Sequence, residues 1–212
     1  MDYYPVSYRF RSERSGAVPA KHTPQSEATR ERLLNAGFAE FTAHGLAGGR
    51  VDRIAEAAGC NKRLIYLYFT DKNGLFEAVV TRHIEAMMDG VTFDAEHLAA
   101  YAGRLFDWLY DRPDVLRLLG WRNLERDETS DVERQSYSKK LEALDTALDE
   151  KKLASDIDPR DLLTLMIGMV TAWAGPSPAL LDAVGRPTDE QVRQRARASL
   201  VAAVELIAPA QS

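Results

Sequence analysis

The chain has 212 residues, 45% hydrophobic and 28% charged, with a formal net charge of −5. That length suits one sizeable helical domain or a small domain joined to a larger one, and the acidity excludes a uniformly basic nucleic-acid coat protein. The lone Cys60 excludes an intramolecular disulfide framework, and no apolar run reaches the ~20 residues of a membrane span, so a cytoplasmic protein with no membrane partner is expected.

Charge is unevenly placed. Residues 1–23 hold four Lys/Arg against two Asp/Glu, residues 24–80 hold seven of each, and the rest holds sixteen against twenty-three. A neutral-to-basic head on an acidic body suits a protein that offers one end to phosphates.

Residues 1–23 show no apolar periodicity, contain Pro5, Gly16 and Pro19, and lack the apolar stretch of a secretory signal. A disordered arm is expected there, with Arg9, Arg11, Arg14 and Lys21 as candidate phosphate or minor-groove contacts. From residue 24 nearly everything reads as helix. Leu33, Leu34, Gly37, Phe38 and Phe41 share a face at 3- and 4-residue spacing, which predicts a helix over 24–44 with its stop at Gly45. Short helices are predicted over 51–58 and 62–69, separated by Ala58-Gly59-Cys60, with Asn61 as N-cap of the second. Asp71 can cap a fourth helix over 72–89.

Further helices are predicted over 94–111, 113–126, 130–153, 159–174 and 187–207. Pro113, Pro159 and Pro187 sit where first turns begin, and Asp158 precedes Pro159 as a candidate cap. Residues 175–186, with Gly175, Pro176, Pro178 and Gly185, read as a loop carrying at most a short helical turn. No alternating strand pattern is present, so the fold class is all-α.

The informative stretch runs from Thr29 to Val80. In the 51–58 helix Val51, Ile54, Ala55 and Ala58 form the apolar side, and the small alanines permit close packing. The next helix buries Leu64, Ile65 and Tyr68 or Phe69, leaving Lys62, Arg63, Tyr66 and Leu67 on the other side. A short helix with a basic first turn and an outward tyrosine suits a DNA major groove.

This stretch resembles the DNA-binding domain of the TetR family. The resemblance lies in IAEAAG at Ile54–Gly59, then Asn61, Lys62, Ile65, Tyr66, Tyr68, Phe69 and Lys72, with a leading R-x-x-L-L-x-A-x-x-x-x-F and a following L-F-x-A-V-V. It implies a helix-turn-helix head over 24–72 and a helical effector-binding and dimerising body over 73–212. It implies that Asn61 caps the recognition helix, that Lys62 and Arg63 reach bases or phosphates, and that Tyr66 and Lys72 bind phosphate. Two positions depart from the family pattern. Gly49 and Arg50 stand where relatives often carry a capping Thr or Ser, so Arg50 becomes a candidate phosphate contact. Leu67 replaces a frequent His and offers only an apolar contact.

For the body, the resemblance implies a homodimer built on the last two helices. The candidate interface residues are Leu163, Ile167 and Val170 in the first, and Val192, Ala196, Leu200, Ala203, Val204 and Ile207 in the second. It also implies an effector cavity, for which Tyr101, Trp108, Trp121, Tyr137, Met166, Met169 and Trp173 are candidates, with His97, Arg104 or Arg122 orienting a polar group. Such walls favour an apolar or aromatic effector. The implied function is regulation, as a repressor, at double-stranded palindromic operator DNA; the alternative is a helical small-molecule-binding protein that has lost DNA binding. No cofactor, metal or catalytic activity is expected. The four histidines form no H-E-x-x-H, and G-x-S-x-G and a glycine-rich phosphate loop are absent.

Overall fold

A computed structural model describes residues 24–126 and 130–210. The expected basic arm over 1–23 lies outside them. Among the described residues there are ten α-helices and no strand: α1 Pro24–Gly48, α2 Val51–Ala57, α3 Arg63–Phe69, α4 Lys72–Gly90, α5 Leu98–Tyr110, α6 Pro113–Glu125, α7 Asp131–Asp149, α8 Pro159–Thr171, α9 Pro178–Val184 and α10 Glu190–Ile207. None of these helices alone is long and apolar enough to cross a membrane.

Local chemistry sets most boundaries. Asp71 accepts the Gly74 N–H at 2.8 Å, Ser130 that of Glu133 at 3.2 Å, Asp158 that of Arg160 at 2.8 Å and Asp189 those of Gln191 and Val192. Pro113 and Pro159 occupy first turns as expected. Pro187 does not, because Asp189 captures the free N–H groups two residues later. The helix expected from residue 94 starts at Leu98, since Asp94 bends the chain by accepting the Glu96 and His97 N–H groups. The helix expected to reach residue 153 ends at Asp149, just before Lys151 at φ 57°. α8 gives way to a 3₁₀ turn at Ala172–Ala174, and the expected loop after it contains α9.

Two apolar clusters result. The head packs Leu33, Leu34 and Phe41 of α1 against Ile54, Ile65 and Phe69 of α2 and α3, and against Leu75, Phe76, Val79 and Val80 of α4. Phe41 meets Phe76 edge-on at 5.1 Å. Leu118 of α6 is fully buried in this same cluster, so the head core extends past residue 72 into α4 and α6. The body core is centred on α5, which packs most extensively on α10 and also on α8 and α6.

Candidate DNA-binding face and effector cavity

The turn between α2 and α3 carries Gly59 at φ 60°, the left-handed value that lets α3 cross α2. The Asn61 side chain accepts the Arg63 N–H at 2.9 Å, capping α3. Arg50, Asn61, Lys62 and Arg63 are exposed, as are Tyr66 (51%) and Leu67 (49%), while Ile65 and Phe69 are buried. One face of α3 is thus anchored and the other is offered to solvent. Lys62 pairs with Asp52 at 3.0 Å, and that hydrogen bond pushes the ammonium above its ordinary range. The pair is exposed, so phosphate can displace the carboxylate at little cost.

Arg50 makes no side-chain cap for α2. The missing hydroxyl is replaced from α1: Glu40 accepts the Arg50 N–H at 2.8 Å and holds the Arg53 guanidinium. Burial favours the neutral acid at Glu40, but the hydrogen bonds from Arg53 and the Arg50 backbone outweigh it and lower the carboxyl. α2 is therefore fixed to α1 with the Arg50 side chain left exposed.

Lys72 is placed differently from the expected phosphate contact. Its ammonium donates to the backbone carbonyls of Leu46 at 2.7 Å and Gly49 at 3.2 Å. It thereby holds the segment that follows the break of α1 at Gly45 and leads into α2.

A cavity of about 480 Å³ lies between α4, α5, α6, α7 and α8. Of the candidate effector residues, Tyr101 and Tyr137 line it; Trp108, Trp121, Met166, Met169 and Trp173 do not. Trp108 packs over Gly90 under the Arg112 guanidinium. Trp121 donates to the Thr42 carbonyl at 3.2 Å, joining α6 to α1. Met166 is fully buried in the body core, Met169 packs against it, and Trp173 meets Phe106 edge-on at 5.8 Å. Of the three candidates for a polar orienting group, only Arg122 lines the cavity. His97 is tied to Asp94, and Arg104 reaches the Thr92 carbonyl.

Met87, Met88, Glu133 and Lys140 line the cavity without having been singled out in the sequence. A signal was present: Glu133, Ser136, Tyr137 and Lys140 follow i, i+3, i+4, i+7 spacing on α7, one face of a helix. Arg122 and Glu133 form a largely buried pair, guanidinium to both carboxylate oxygens. Burial pushes the Tyr101 hydroxyl up to about 12 and the Lys140 ammonium below its ordinary value, although Glu133 opposes the latter shift.

The candidate dimer residues divide. Leu163, Val170, Ala196, Leu200 and Val204 are buried within the protomer, Val192, Ala203 and Ile207 are half-buried, and Ile167 and Val170 line the cavity. The α10 stripe read as an interface therefore faces mostly inward, onto α5. The apolar surface left exposed on α8 and α10 is Leu165 (50%), Ala198, Ala202 and Leu206 (84%). Among the described residues no group of three or more His, Cys, Asp or Glu side chains converges to hold a metal ion.

Comparison with known proteins covers both halves. Residues 33–79 match the family model described as bacterial regulatory proteins, tetR family, and residues 97–205 match one described as tetracyclin repressor-like, C-terminal domain. The chain is 36% identical over 152 residues to the HTH-type transcriptional repressor SCO4008 of Streptomyces coelicolor, covering 70% of this chain and 79% of that protein. The crystal structure of SCO4942 from Streptomyces coelicolor superposes with a TM-score of 0.76 at 36% identity, over 86% of this chain and 99% of that one. A TetR family transcription regulator from Marinobacter aquaeolei shares the fold at a TM-score of 0.63 and 23% identity, over 84% of this chain and 96% of that one.

Proposed function

The chain belongs to the TetR family of bacterial transcriptional regulators, and on that footing we propose that it is a cytoplasmic repressor that binds a near-palindromic operator as a homodimer and releases it when a small effector fills the α4–α8 cavity. The observation that carries this reading is the solvent-facing side of α3, where Lys62, Arg63, Tyr66 and Leu67 stand out from a buried Ile65 and Phe69 behind an Asn61 cap.

In the proposed complex α3 enters the major groove. Arg63 makes a forked contact to a guanine edge, Tyr66 and Arg50 reach phosphates, and Leu67 covers a thymine methyl. The exposed apolar side chains of α8 and α10 meet their symmetry mates, and the two-fold axis imposes a palindrome.

Release is routed through α6. One side of this helix lines the cavity with Leu116, Leu119 and Arg122, while Leu118, Trp121 and Glu125 engage the head. α4 has the same double role, with Met87 and Met88 at the cavity and Leu75 to Val80 in the head core. An effector that favours a different spacing of α4 and α6 shifts the heads by its differential affinity for the two states.

The test is fluorescence anisotropy on duplex DNA from the gene's own promoter. Arg63→Ala is expected to weaken specific binding by ~1–3 kcal/mol and to relax base preference. Unchanged affinity and footprint would remove Arg63 from its role. Failure of the unaltered protein to bind any duplex in a salt-dependent way would leave a ligand-binding protein that no longer engages DNA.

A further inference from the structure

Lys140 is the cavity residue whose chemistry is least explained by packing. Its ammonium lies 5.3 Å from the Tyr137 ring centroid, 5.8 Å from Phe93 and 5.9 Å from Tyr101. Three rings offer their negative faces, but no carboxylate stands within ion-pair distance of it among the described residues. The nearest acid in the wall, Glu133, has both oxygens taken by Arg122. Among the described residues the charges lining the cavity are Arg122 and Lys140 against Glu133, one positive charge in excess. The rest of the wall is largely aliphatic, with Met87, Leu105 and Leu119 among it. An unpaired cation beside such a wall is costly, and an anion brought in by a ligand would relieve that cost.

We propose that the cavity takes an amphipathic organic anion, a carboxylate or sulfonate on an apolar or aromatic body, with Lys140 pairing with the anionic group and the α4–α6 side chains covering the body. The inference rests on reading the cavity as the effector site and adds the charge of its occupant. The Tyr101 and Tyr137 rings flank the ammonium and line the same cavity.

Two probes with one aromatic body separate the possibilities: anilinonaphthalene sulfonate and its uncharged parent phenylnaphthylamine, each titrated into the full chain and followed by fluorescence. The anion is expected to bind at one site per protomer, about tenfold or more tighter than the neutral probe, the weight of one desolvated charge-assisted contact. Lys140→Met should abolish that preference while leaving the neutral probe's Kd within about twofold, and Lys140→Arg should keep it. Equal binding of the two probes to the unaltered protein, or a preference that survives Lys140→Met, overturns the anion assignment and leaves the cavity as an effector site for neutral ligands. Binding of neither probe overturns the effector reading as well.

Discussion

The carboxylate of Glu125, the last residue of α6, accepts the backbone N–H of Leu46 immediately after α1 breaks at Gly45, φ 68°. Its other oxygen reaches the Ala47 N–H at 3.3 Å, and Trp121 one turn earlier donates to the Thr42 carbonyl. From the opposite direction Lys72 donates to the Leu46 and Gly49 carbonyls. The segment that precedes α2 is thus held through its N–H groups by the body and through its carbonyls by α4. This is the physical link between the cavity helices and the helix-turn-helix.

Glu125→Ala should remove the N–H side of that link. Hydrogen bonds to a charged partner contribute about 1.5–3 kcal/mol each, so a loss within that range is expected in urea unfolding. Amide exchange at Leu46 and Ala47 should accelerate beyond the global change. Unaltered exchange at these two amides would show that the carboxylate does not hold them in solution.

Lys72→Met should behave as a stability mutation. The family resemblance implied a phosphate contact, but the ammonium is engaged by the backbone carbonyls of Leu46 and Gly49. The expected outcome is about 1–3 kcal/mol lower stability from orphaned carbonyls, with the salt dependence of DNA binding unchanged. Unchanged stability together with a salt slope smaller by about one would restore the phosphate role.

Leu206→Glu should convert a dimer to a monomer in sedimentation equilibrium while leaving the protomer folded, because Leu206 is 84% exposed on α10. Leu200→Ala, on the buried side of the same helix, should instead cost ~2–5 kcal/mol of folding stability. A Leu206→Glu protein that stays dimeric would move the interface off this face.

These contrasts show what the sequence carried. The helices, the Gly59 turn and the Asn61, Asp71 and Asp158 caps were legible because each depends on residues within a turn of one another. The outward face of α3 was legible for the same reason, as period 3.6 separates Ile65 and Phe69 from Tyr66 and Leu67. What lay beyond reach was the partner of each apolar stripe. Val192, Ala196, Leu200 and Val204 mark a buried side of α10, but periodicity does not say whether α5 or a second subunit covers it. Aromatic content likewise marked a body core without saying which rings border a cavity, and Trp108 and Trp121 went to other packing sites. Lys72 differs again: its partners lie 23 to 26 residues earlier, and only the fold brings them together.

Stability should fall as pH drops below about 6.5. The His83 ring packs tilted against Phe38, centroids 4.2 Å apart, and burial, aided by the neighbouring Arg82 charge, holds its pKa below the ordinary 6.5. Above that value both folded and unfolded states carry a neutral ring. Between 6.5 and the lower folded value only the unfolded chain takes up the proton, so stability is lost there and then levels off for this group. His83→Phe should flatten that part of the profile in thermal unfolding; an unchanged slope would place the acid sensitivity elsewhere.

The central claim is that two copies of α3, held in a two-fold dimer, read one face of duplex DNA. Selection of bound sequences from a random duplex pool tests it most directly. The account predicts enrichment of an inverted repeat whose half-sites are centred about one helical turn, roughly 34–36 Å, apart, and loss of that enrichment with Arg63→Ala. Recovery of no preferred sequence, or of a single site without two-fold symmetry, would contradict it.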